Sequence, residues 1–134
     1  MSSIDSIEGI GAAYHAKLKA IGISTSEDLL EACASKAGRA KLADTAGVPE
    51  TLILKWANHA DLTRIKGVAG QYSELLEAAG VDTVPELAQR KAENLTAKLI
   101  EVNEAKELVR KLPTLEQVED WIEQAKKLPR AMSY

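Results

Sequence analysis

The sequence predicts an all-α fold: a compact bundle of about eight or nine short helices, built from two related repeats packed together as one unit. Three observations predict it. Apolar residues recur at helical spacing, and no stretch shows convincing alternation of apolar and polar residues between turns, as a half-buried strand would. Composition agrees: hydrophobic residues make up 46% with no Phe, so the interior is built mostly from Leu, Ile, Val and Ala. Finally, the chain matches itself when displaced by 58 positions. Ile7-Glu8-Gly9-Ile10 falls on Ile65-Lys66-Gly67-Val68, and Tyr14, Leu18, Gly22, Thr25 and Leu29 fall on Tyr72, Leu76, Gly80, Thr83 and Leu87. The retained residues are glycines, an apolar stripe and a capping threonine, which a shared backbone would need. The repeats are read as residues 1–63 and 64–134.

Each element has its own signal. Tyr14, Leu18 and Ile21 form a helical stripe after the first glycine turn, and Tyr72, Leu75, Leu76 and Ala79 do so after the second. Gly22 and Gly80 stand where a helix end wants positive φ. Thr25 with Asp28 and Thr83 with Glu86 are in capping-box register, opening short helices that carry Leu29, Leu30 and Cys33, and Leu87 and Ala88. Arg39, Leu42, Ala43 and Ala46 suggest a third helix ending at Gly47, and Pro49 opens a fourth bearing Leu52, Ile53, Trp56, Ala57 and Ala60. In the second repeat one helix is expected with Leu95, Leu99 and Val102, and another with Ala105, Leu108, Val109 and Leu112. After Pro113, Thr114 and Gln117 cap a last helix whose stripe is Leu115, Val118, Trp121, Ile122 and Ala125.

The turn Ile7-Glu8-Gly9-Ile10-Gly11 sets glycines on either side of an apolar plug and runs straight into a helix. Such a helix begins with unpaired N–H groups and the positive end of its dipole, a ready site for an anion such as a phosphate oxygen. The pattern hydrophobic-x-Gly-hydrophobic-Gly, then helix, Gly22-Ile23 and a capped second helix, resembles the helix-hairpin-helix superfamily. The likeness is closer to a family of small bacterial tandem helix-hairpin-helix proteins of unassigned function, through Ile7–Gly11, Ala60–Val68 and Ala79–Thr83, and it loosens after about Leu112. The resemblance implies hairpin amides that hold phosphates of DNA or RNA without reading bases, and carbonyls that in some relatives hold a monovalent cation. Carried over, the contacts are Gly9, Ile10 and Gly11, then Gly67, Val68, Ala69 and Gly70, with Lys17, Lys19, Arg64 and Lys66 adding charge. The second hairpin departs from the pattern: Ala69 replaces the second glycine, and Glu74 and Glu77 follow on its helix.

Other residues carry plainer readings. Tyr14, Tyr72, Trp56 and Trp121 lie on apolar stripes and are read as packing anchors, and Cys33 as a small buried hydrophobe. His15 and His59 have no partners at ligand spacing, so surface or half-buried positions are expected and no metal site. Basic clusters interleave with carboxylates as solvated pairs, Glu107 before Lys111 among them. No catalytic motif is present, so a non-catalytic binding protein is expected, without a cofactor beyond the hairpin cation. A single cysteine, the lack of a secretory signal and the lack of an apolar run long enough for a bilayer point to the cytoplasm and away from membranes. The formal net charge of -3, with Glu116, Glu119, Asp120 and Glu123 together on the last helix, keeps a second reading open: an adaptor or self-associating scaffold that keeps the fold and binds protein, or a second copy, through its helical faces, the C-terminal one above all.

Overall fold

The computed structural model describes residues 4, 7 and 10–133, and these form eight α-helices and no strand. The chain divides into two compact units, Met1–Asp61 with Arg130–Tyr134, and Leu62–Pro129.

The first unit holds α1 (Ala12–Ala20), α2 (Ser26–Ala32), α3 (Lys36–Ala46) and α4 (Glu50–Leu62), whose last residue opens the second unit. Local chemistry sets each boundary. Beyond α1, Gly22 takes φ 91° and its N–H donates to the Lys19 carbonyl, while the Ile23 N–H reaches back to Leu18 at 2.9 Å. This 5→2 and 6→1 pairing satisfies the last carbonyls of α1 and brings Ile23 and Leu18, both buried, together at the helix end. The Thr25 hydroxyl accepts from the Asp28 N–H and the Asp28 carboxylate accepts from the Thr25 N–H, the reciprocal cap of α2. Ser35 caps α3 through the Gly38 N–H at 3.0 Å, Gly47 at φ 68° ends that helix, and α4 follows Pro49 directly. Trp56 is fully buried in the core, its ring 5.1 Å from that of Tyr14. An offset or tilted aromatic pair of this kind adds about 0.5–1.5 kcal/mol beyond the area it buries. Among the buried polar residues of this unit, Arg39 and His59 lie deeper than the sequence suggests. Arg39 is 4% exposed, with its Nη1 donating to the Cys33 carbonyl at 2.9 Å, and His59 is fully buried rather than at or near the surface.

The second unit holds α5 (Gly70–Ala78), α6 (Val84–Ala88), α7 (Ala92–Lys106) and α8 (Leu115–Lys127), with α8 packed on α6 and α7, and α5 on α7. Its helix ends are bonded much as in the first unit, except that the expected capping box at Thr83 is only half made: the Glu86 carboxylate accepts from the Asp82 N–H at 3.3 Å. Gly80 takes φ 95° and donates to Glu77, Val81 N–H reaches Leu76 at 2.9 Å, and Thr83 caps α6 through the Glu86 N–H. Tyr72 lies 5.4 Å from Trp121, as Tyr14 lies against Trp56.

One expected helix is absent. Residues 107–114 are not helical, although Ala105, Leu108, Val109 and Leu112 have helical spacing. Glu107 takes φ 49° and ends α7. The Asn103 side chain then grips Val109 from both sides, accepting its N–H at 3.0 Å and donating to its carbonyl at 3.1 Å. Tyr72 Oη donates to the Lys111 carbonyl at 2.9 Å. These side chains occupy backbone groups that a helix would need, so Val109 is buried, and Leu108 and Leu112 half-buried, from an irregular segment instead. Glu107 and Lys111 therefore do not form the expected helical pair.

Candidate functional site

The two glycine turns share one hydrogen-bond pattern. Ile7 N–H donates to Ile4 O and Ile10 N–H to Ile7 O in the first; Ile65 N–H donates to Leu62 O and Val68 N–H to Ile65 O in the second. Ile10 and Val68 are buried as plugs of their cores. Gly9 lies outside the described residues. Its counterpart Gly67 takes φ 98°, and a Cβ there would stand 3.0 Å from Trp121 Nε1. Glycine at 67 is thus demanded twice, by backbone sign and by the indole behind it.

Gly11 is a different case. It is the N-cap of α1 with φ -78° and ψ 175°, an extended backbone open to any residue, and a Cβ there would meet nothing within 4 Å. Ala69 caps α5 with nearly the same angles, φ -95° and ψ -178°. The alanine in the second turn is therefore no defect of geometry, and the fold itself does not require glycine at 11.

The Ile10 N–H is bonded within the turn, to the Ile7 carbonyl at 3.4 Å, and the donors that a helix start leaves without intrahelical partners follow on the first turn of α1. Gly11, Ala12 and Ala13 are exposed, no side chain caps the helix, and its first turn holds no carboxylate. Ala12 and Ala13 were not singled out by the motif; counting forward from the N-cap would have found them. In the second turn Ala69 and Gln71 are exposed, Gly70 is buried, and α5 likewise lacks a side-chain cap or an acidic first turn. There, however, Gln124 clamps the hairpin: its Oε1 accepts from the Lys66 N–H at 2.8 Å, and its Nε2 donates to Lys66 O and to the Asp120 carboxylate at 2.9 Å. A carboxylate thus sits one side chain away from the second turn.

The basic residues do not gather at the helix starts. Lys17 and Lys19 are in the last turn of α1, about 7.5 and 10.5 Å along the axis from Ala12 at 1.5 Å per residue. They complement the negative end of that helix dipole, and Lys17 Nζ lies 5.8 Å over the Tyr14 ring. Arg64 Nη2 donates to the Pro129 carbonyl at 2.7 Å, and Lys66 is exposed. On α8, Glu116, Glu119, Asp120 and Glu123 are all exposed.

Elsewhere the second unit has an open groove of about 380 Å³ lined by both signs of charge, Arg90, Lys91 and Lys126 with Glu93, Glu119 and Glu123. Burial pushes the Cys33 thiol up to about 11, away from a reactive thiolate, against a smaller opposing pull from Arg39. Among the described residues no group of three or more His, Cys, Asp or Glu is placed to hold a metal ion, and no helix is long and apolar enough to cross a membrane.

Fold and turns together define a small all-helical protein in which a glycine turn leads into an uncapped helix twice over. Residues 8–128 match the family described as Domain of unknown function (DUF4332), and the chain belongs to that family. No curated protein and no solved structure matches it.

Proposed function

We propose that this is a non-catalytic protein of two helix-hairpin-helix repeats that binds nucleic acid through phosphate oxygens, without reading sequence. The observation that carries the reading is Gly11: an exposed glycine that neither backbone angle nor crowding requires, at the uncapped, carboxylate-free start of α1. Leaving out a side chain there keeps the amides of Ala12 and Ala13 open to a close-approaching anion, which the helix dipole favours. The repeated turn bonding supports two related repeats, and the first repeat is the better binder. In the second, Asp120 behind Gln124 opposes an approaching phosphate.

The test is a titration of labelled duplex and single-stranded DNA and RNA at low and moderate salt, beside Gly11→Glu. The variant has room for its side chain, and an acidic residue at a helix start does not disfavour the helix. The unaltered protein should bind saturably, with log K falling by about 0.9 per phosphate contact for each decade of salt on duplex. Gly11→Glu should bind at least tenfold more weakly while remaining folded. Absence of saturable binding at low salt, or an unchanged affinity in the variant, overturns the reading.

A second reading is favoured by one specific observation, the exposed acidic row Glu116, Glu119, Asp120 and Glu123 on α8 in a chain of net charge -3. In that reading the C-terminal helix docks a basic protein surface and the hairpins serve only the fold. Loss of DNA binding only in Gly11→Glu argues for the first reading; a basic protein partner lost in Glu119→Lys, with no DNA binding, argues for the second.

A further inference from the structure

The core of the first unit is completed by a residue from the far end of the chain. Met132 is 3% exposed and belongs to a buried cluster whose other members all lie between Ile4 and Ala60. The segment that carries it is neither helix nor strand. It is seated at the end of α2, where helix termini leave carbonyls in need of donors. The Cys33 carbonyl there is taken by Arg39, and the Ala34 carbonyl by Ser133, 99 positions away, through N–H at 2.7 Å and Oγ at 3.3 Å. Arg130 Nε donates to the Met132 carbonyl at 2.7 Å and folds the segment on itself. A flexible thioether is well suited to such a seat, because it fills an irregular gap without a fixed shape. Leu18 of α1, Leu29 of α2, Leu42 of α3 and Ile53 and Trp56 of α4 all belong to the same buried cluster, so the peg is an addition to a core that already exists.

We propose that residues 130–133 are a releasable clasp, which leaves and re-enters its seat beside the α2–α3 turn while α1 to α4 stay folded. Opening exposes an apolar slot and the Ala34 carbonyl together. Such a segment belongs to the low-stability end of a protein's local openings, because it has little buried surface and no ladder of backbone bonds.

Met132 reports its own release. Hydrogen peroxide transfers an oxygen atom to an exposed thioether: an S–O bond forms, the O–O bond breaks and water leaves. Oxidation of Met132 in the full chain is followed by peptide mass spectrometry at several sub-denaturing urea concentrations, with Ser133→Pro beside it. Proline removes the N–H that reaches Ala34. For a clasp, the rate in the unaltered protein changes little with urea, because local opening exposes little surface. Ser133→Pro oxidises at least tenfold faster and keeps its helical circular dichroism. A urea dependence as steep as global unfolding, an unchanged rate in Ser133→Pro, or loss of helical signal in that variant would each overturn the clasp.

Discussion

Replacing Gly67 with alanine should destabilise the second unit by about 2–3 kcal/mol, whereas Gly11→Ala should change the first unit by less than about 0.5 kcal/mol. At Gly67 two costs combine. Its φ of 98° lies in the region that an L side chain rarely adopts, worth roughly 1–2 kcal/mol. The new Cβ would press on Trp121 Nε1 at 3.0 Å. Trp121 is 2% exposed and packed at a tilt against Tyr72, so the indole has little room to retreat, and forced overpacking of this kind costs roughly 1–3 kcal/mol. Alanine's smaller unfolded-state entropy gives back about 0.4–1 kcal/mol. Gly11 has neither cost, since its backbone is extended and its surroundings are open. Urea unfolding followed by circular dichroism and tryptophan fluorescence measures both variants, with midpoints converted at constant slope. Equal midpoints for Gly67→Ala and Gly11→Ala would refute the division of the glycines into one that the fold needs and one that it does not.

Three more outcomes follow from the same geometry. Glu107→Gly should raise the thermal midpoint, gaining about 0.5–1 kcal/mol once the left-handed strain is set against the entropy of glycine; an unchanged or lower midpoint contradicts it. Thr114→Ala removes the acceptor of the Gln117 N–H at 3.1 Å and should cost about 1 kcal/mol in urea unfolding, and a loss within error would mean that α8 is not held by its cap. Cys33 has its folded pKa raised from 9.0 to about 11, first by burial, so its contribution is full below about 9 and is lost as pH rises through about 11. The stability of the unaltered protein should therefore fall more steeply over that window than that of Cys33→Ala, and parallel curves would show that the thiol is not held protonated by the fold.

The candidate site was half legible. The turns, their plugs Ile10 and Val68, and the glycine requirement beside the second plug could be read from spacing, because a tight turn and a helix start are decided by neighbours within a few residues. The supporting charges could not. Lys17 and Lys19 are near the first hairpin in sequence, yet helical rise carries them to the far end of α1, and Arg64 is spent on the Pro129 carbonyl. Motif spacing named residues 9–11; the Ile10 N–H closes the turn on Ile7, and Ala12 and Ala13, exposed at the start of α1, were not named.

For the chain as a whole, sequence alone determined what depends on short range: the helical periods, the caps at Thr25, Thr83 and Thr114, the positive-φ exits at Gly22, Gly47 and Gly80, and the 58-residue echo. The caps and exits are bonds or backbone angles settled within about one helical turn, and the echo is the same local signals occurring twice. Tertiary structure decided the rest. Asn103 and Tyr72 hold residues 107–114 out of a helix, Gln124 grips Lys66 across 58 positions, Trp121 backs Gly67, and Met132 returns to the first core. These contacts join residues far apart along the chain, and which partner a side chain or carbonyl finds is set by where the helices pack, which no local pattern encodes.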